Sequence, residues 1–170
     1  MSCSNLKSVE IPSSVTEIGD NTFMGCGLTS ITIPGSVKTI GDHAFASSGL
    51  SIVTMLDGVE SIGGYAFSQC GSLTTVVIPN SVEEIGADAF YCCYQLTNIS
   101  LPNQLKIIEN NTFYDCSSLT SMDIPQSVTR IEGSAFEGCG NLKKITIPES
   151  VSYIGGSAFR SCAISNIQLP

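Results

Sequence analysis

The sequence predicts a solenoid, a mainly β chain wound into stacked coils, and three observations carry that prediction. Leucine opens a unit at Leu6, Leu28, Leu50, Leu73, Leu96, Leu119 and Leu142, a period of 22 or 23 residues. All seven phenylalanines fall at one place in that period. Proline, cysteine and alternating Ile or Val recur in fixed columns around them. Self-similarity at about 20 to 50 residues marks a solenoid, propeller or array, and here each unit is one coil. The expected organisation is a single repeat domain over 1–170, with seven full repeats and a partial eighth from Ile164.

Counting the opening leucine as position zero, the elements follow in order. Positions 3 and 5 carry apolar pairs such as Val9 and Ile11, Ile31 and Ile33, Val76 and Ile78. Alternation of this kind makes a short strand with one face inward. Position 6 is proline in most units, from Pro12 to Pro170. Proline has no N–H to give to a ladder, so it marks the strand's end. Positions 9 and 12, as in Val15 and Ile18, form a second apolar pair on the far wall. Position 13 is glycine in five of seven units, with Glu109 and Glu132 in the others, so a tight but tolerant corner is expected there. Position 17 holds Phe23, Phe45, Phe67, Phe90, Phe113, Phe136 and Phe159, and stacking the coils brings these rings into a column. Position 20 holds Cys26, Cys70, Cys93, Cys116, Cys139 and Cys162, with Ser48 once and Cys3 ahead of the first unit. A free cysteine packs as a small hydrophobe. Strands one coil apart lie about 4.8 Å from each other, too far for the usual Cβ spacing of a disulfide, so unbridged core thiols are expected.

The totals exclude several classes of function. Net charge is -8 with seven basic residues, which leaves no electrostatic footprint for nucleic acid. The acidic balance also argues against anionic membranes, and no apolar run reaches the ~18 residues of a membrane helix, so membrane insertion is not expected. The opening residues lack the basic and apolar regions of a secretory signal, which leaves the compartment open. There is no C-x-x-C pair for zinc and no D-x-D-x-D-G loop for calcium, so no cofactor or metal is expected. The one histidine, His43, sits in a turn column with Asn21, Tyr65 and Asp88, and no nucleophile and acid converge on it. Cys26 and Cys70 belong to the buried column, so catalysis is not expected. Glu83, Glu84 and Asp88 read as a solvated edge. The sequons at Asn98 and Asn110 arise easily by chance in a Ser/Thr-rich chain.

The elements I-P-x-S-V, I-G-x-x-A-F and C, as in "ITIPGSVKTIGDHAF" (31–45) and "ITIPESVSYIGGSAF" (145–159), resemble the BspA-like class of leucine-rich repeats. The resemblance covers essentially the whole chain. It implies a right-handed, curved superhelix with a parallel strand ladder on its concave face. It also implies a setting on the surface of host-associated bacteria or protozoan parasites, with adhesion or protein binding as the common role. Against that pattern the chain shows no capping unit at either end, so open ends, fraying and end-to-end self-association are expected.

On such a coil, strand positions 2 and 4 face outward, and they are mostly small hydroxyls and amides. Ile52 and Val77 are apolar where their neighbours are polar, and Leu56 replaces the proline. A compact apolar patch with a polar rim is a candidate protein-binding site. Tyr91, Tyr94 and Tyr114, on adjacent coils, form a second candidate, since tyrosine is a common interface anchor. Cys92 stands at position 19 among Gly25, Ser47, Gln69 and Asp115, a polar set, and is expected to be the exposed thiol. The function expected is a protein-binding scaffold, a surface adhesion or host-interaction module whose partner is a host surface or matrix protein. The rival is a structural spacer or self-assembling segment without its own ligand. Ice binding needs a regular threonine ladder, and the threonine columns here have gaps.

Overall fold

A computed structural model describes residues 3–165. The strand expected in the partial eighth unit, and Pro170, lie outside the described residues. The chain winds through parallel strands with no helix among the described residues, and therefore no helix long and apolar enough to cross a membrane.

Two ladders form the walls. The first runs through positions 2 to 5 and comprises β2 (Ser30–Ile33), β4 (Ile52–Met55), β6 (Thr75–Val77), β8 (Asn98–Ile99), β10 (Ser121–Asp123) and β12 (Lys144–Thr146). The second runs through positions 11 and 12 and comprises β1 (Glu17–Ile18), β3 (Thr39–Ile40), β5 (Ser61–Ile62), β7 (Glu84–Ile85), β9 (Ile107–Ile108), β11 (Arg130–Ile131) and β13 (Tyr153–Ile154). Where strands pair they do so parallel and in register, as in Ile31 against Val53 and Ile18 against Ile40. Strands this short are held by repetition, because each coil lends its neighbour a hydrogen-bonded edge.

The third side of the coil is not a strand. Positions 15 and 19 take positive φ in every full unit, and twelve of these residues are not glycine, among them Asn21, His43, Asp88, Ser47 and Cys92. Left-handed residues alternating with ordinary ones turn successive N–H groups to the same side. The N–H groups of Phe23, Phe45, Phe67, Phe90, Phe113 and Phe136 accordingly all donate forward, to the next coil, at 2.7–3.0 Å. The walls also donate in the opposite sense, as from Lys38 N–H back to Thr16 at 2.8 Å. Asn, Asp and glycine accept a left-handed backbone best, which accounts for Asn21, Asp88, Asn111, Asp115, Gly25 and Gly138 in these columns.

The interior holds what the periodicity predicts. The seven phenylalanine rings stack with centroids 5.3–5.6 Å apart, and the five central rings are fully buried. Beside them runs the thiol column. Each Sγ of Cys70, Cys93, Cys116, Cys139 and Cys162 donates to the carbonyl of a phenylalanine on the preceding coil, at 3.1–3.3 Å. Those thiols are unbridged, and each occupies a carbonyl lone pair that would otherwise be buried without a partner. Burial pushes all of these thiols above their ordinary value, Cys162 to about 11.

Position 13 is tight because coils approach there, not because φ is positive. A Cβ on Gly41, Gly63, Gly86 or Gly155 would stand within 3 Å of the preceding coil's backbone. Position 8 adds a side-chain clasp. The hydroxyls of Ser81, Ser127 and Ser150 donate to carbonyls of the preceding coil at 2.6–2.7 Å. Coil five, opened by Leu96, loses both devices, with Gln104 at position 8 and Glu109 at position 13. Its strand β9 does not pair with β7, and the second ladder is split there into β1-β3-β5-β7 and β13-β11-β9. Coil six also carries a glutamate at position 13, Glu132, but keeps Ser127, and β11 stays paired with β9. Losing one device is tolerated; losing two opens the wall. The first ladder breaks one coil later, between β8 and β10.

Candidate protein-interaction surface

The outward face of the first ladder places the predicted apolar residues together. The pairing of Thr54 with Val77 sets Val77 beside the middle of β4, between Ile52 and Leu56. The three are 47%, 49% and 47% exposed (Ile52, Val77, Leu56), and they make up three of the seven large exposed hydrophobics among the described residues. Leu56 is possible because it is not proline: its N–H donates to Ile33 at 2.9 Å, a bond proline cannot make. Ser30, Thr32 and Thr75 stand opposite or beside these residues in register and give the patch a polar rim.

The tyrosines divide. Tyr91 and Tyr114 stack at 4.9 Å and are half-buried, whereas Tyr94 is half-exposed and stands apart from that stack. Cys92 lies beneath them and corrects the expectation of an exposed thiol: it is 6% exposed. Its left-handed backbone turns its N–H to Tyr114 at 2.8 Å, and the tyrosines on either side cover its sulfur. The neighbouring Cys92 pushes the Tyr94 phenol up to about 12. A thiol reagent added to the native protein is therefore expected to label Cys3 at once and Cys162 slowly. Cys26, Cys70, Cys92, Cys93, Cys116 and Cys139 should react only as the fold opens. Fast labelling of Cys92, read by peptide mass, would contradict this packing.

Asp88 also departs from the sequence reading. It is buried, not part of a solvated edge, with Tyr65 and Asn111 as the polar neighbours of its carboxylate. Burial raises its pKa, and Tyr65 and Asn111 act against the rise. In the same left-handed column, His43 stacks on Tyr65 at 4.7 Å.

Sequence reasoning missed a groove of about 800 Å³ along the second ladder from coil one to coil five. Its available signal was the pair of departures at Gln104 and Glu109. A second hollow of about 380 Å³ sits over the break between β8 and β10.

Parallel two-ladder coils of 22 or 23 residues, with a stacked phenylalanine spine, define a leucine-rich repeat solenoid. Over residues 1–118 and 60–170 the sequence matches the family model described as BspA type leucine rich repeat region, in six copies, and the chain belongs to that family. It is similar to a leucine rich repeat protein of T. pallidum, at 37% identity over 88% of this chain and 71% of that one, with a TM-score of 0.83. It is also similar to a leucine rich cell surface protein of Faecalibacterium prausnitzii, at 32% identity, covering 98% of this chain and 54% of that one, with a TM-score of 0.71. A leucine-rich repeat protein from Bacteroides ovatus is 26% identical, with 95% and 54% covered and a TM-score of 0.65. The chain spans about half the length of the last two. No curated protein sequence matches it. Family and fold together make the chain a repeat-based protein-interaction scaffold.

Proposed function

We propose that this scaffold works at a cell surface, in adhesion or in contact with a host protein, and binds through the outward face of the first ladder. The observation that carries the reading is the patch of Ile52, Leu56 and Val77, apolar, exposed and rimmed by hydroxyls. Interface cores are built this way, with charge depleted at the centre and polar groups outside. The cell-surface description of the F. prausnitzii relative supports the setting.

The test is capture of partners from host-cell and matrix extracts by the wild-type chain against the double variant Ile52→Glu, Val77→Glu. Both side chains point to solvent, so each change should alter stability by no more than about 0.5 kcal/mol. Loss of a captured protein, with the thermal midpoint unchanged, is the expected outcome. Capture indifferent to both substitutions would end the proposal for this face. A mass that rises with concentration in light scattering, with no partner captured, would favour a self-assembling spacer.

A further inference from the structure

The unpaired stretch of the second ladder lies inside the 800 Å³ groove, and the two features belong together. Elsewhere on this wall a regular bond joins each coil to the last, as from Glu83 N–H to Glu60 and from Gly86 N–H to Ile62, both at 2.8 Å. The corresponding donors on coil five are Lys106 and Glu109, and the corresponding acceptors on coil four are the carbonyls of Glu83 and Ile85. Among the described residues none of these four groups has a partner across the gap. Main-chain groups left free in a cleft are taken up by water or by the amides of an added peptide.

The groove's charge selects the peptide. Glu17, Asp20, Asp42, Glu83, Glu84 and Glu109 line it, against Lys106. One oxygen each of Asp20 and Asp42 is already committed to backbone N–H groups of the next coil, at 2.8 and 2.7 Å. No group of three or more acids, histidines or cysteines among the described residues is gathered tightly enough to hold a metal ion. The negative charge is spread along the ladder axis, which suits a row of cations on an extended chain and not one compact ion. Ile40, Ile62 and Ile85 turn their side chains into the core and offer the groove only main chain, so the partly exposed Ile107 is the apolar side chain that can take the methylene stem of a lysine or arginine.

We infer that this groove docks an extended, lysine- or arginine-rich segment of a partner protein, its cations on the carboxylates and its backbone on the free groups of coils four and five. This site is separate from the apolar patch of the first ladder and does not depend on it.

The experiment uses the full chain and two labelled eight-residue peptides, alternating Lys-Ser and alternating Glu-Ser. Fluorescence anisotropy at low salt reads affinity, and amide chemical shifts read location. Binding of the Lys-Ser peptide is expected, with shifts concentrated at Lys106, Ile107 and Glu109. Glu83→Gln with Glu84→Gln should weaken it about tenfold. Glu10→Gln with Glu149→Gln removes the same charge at exposed sites outside the groove and should change affinity less than about twofold, as should Ile52→Glu with Val77→Glu. Equal losses in the two acid-to-amide pairs would reduce the effect to general attraction by an acidic protein and overturn the inference. So would shifts scattered over the whole surface, binding of the Glu-Ser peptide, or displacement of the peptide by millimolar calcium with shifts at the carboxylates alone.

Discussion

Replacing Phe90 with alanine is expected to lower the stability of the chain by about 3–5 kcal/mol. The ring is fully buried and stacks on two others, Phe67 at 5.5 Å and Phe113 at 5.6 Å. Truncation removes its apolar burial, leaves a cavity, and breaks two aromatic contacts worth about 0.5–1.5 kcal/mol each beyond area. The ring's backbone adds to the difficulty of relaxing around that cavity. Its N–H donates to Thr112 and its carbonyl accepts both Cys93 N–H and the Cys116 thiol, so the wall cannot collapse inward without losing bonds. In a one-dimensional array each coil is stabilised by its two neighbours, so a mid-array cavity weakens two interfaces at once. Phe23, half-buried and with one ring neighbour, should cost clearly less when cut to alanine. Urea unfolding of both variants checks this, and equal losses would refute the account of the phenylalanine column as a cooperative spine.

The columns facing the interior were legible because the hydrophobic effect writes them in residue type. Phenylalanine at position 17, Ile or Val at positions 3, 5, 9 and 12, and cysteine at position 20 all lie where the periodicity puts them. The apolar patch was legible for the same reason in reverse, since Ile52, Leu56 and Val77 break polar columns. Cys92 was misread because the polar set at position 19 admits two explanations. Gly, Ser, Gln and Asp suit a solvent-facing site, and most of them also suit a left-handed backbone. The second explanation holds, and it says nothing about where a side chain points. Asp88 failed likewise, its column being set by φ and its burial by Tyr65 above it. The groove was hidden for a different reason. Gln104 and Glu109 each look like tolerated variation, and Glu132 shows that one of the two changes is tolerated. Only the stacked geometry shows that serine and glycine at those positions clamp the same pair of coils.

Alkaline pH is expected to unfold the protein sharply, well before its backbone is affected. Cys70, Cys93, Cys116 and Cys139 are buried, and desolvation raises each thiol, with charge on neighbouring column members adding to the rise for Cys93, Cys116 and Cys139. A thiol in the unfolded chain ionises near ~8.5. Because the folded values are raised, the stability tied to these protons is fully present below that pH. It is lost as pH climbs past it, since the unfolded chain sheds protons that the native one must keep. Four thiols at about 1.4 kcal/mol per pH unit each give a slope of roughly 5–6 kcal/mol per unit above pH 9. A domain with a total stability of about 5–15 kcal/mol cannot survive much more than one or two units of this. Thiolate absorbance and loss of structure should therefore rise together between about pH 9 and 11, in one transition. Ser48 already occupies the column, its hydroxyl 3.3 Å from the Cys70 sulfur, so serine is compatible with the site. The variant with Cys70, Cys93, Cys116 and Cys139 all changed to serine should keep its fold through pH 10 and give a much shallower decline. Ionisation of the buried thiols near pH 9 with the structure intact would mean that the column is open to water and that its hydrogen bonds to the phenylalanine carbonyls do not seal it.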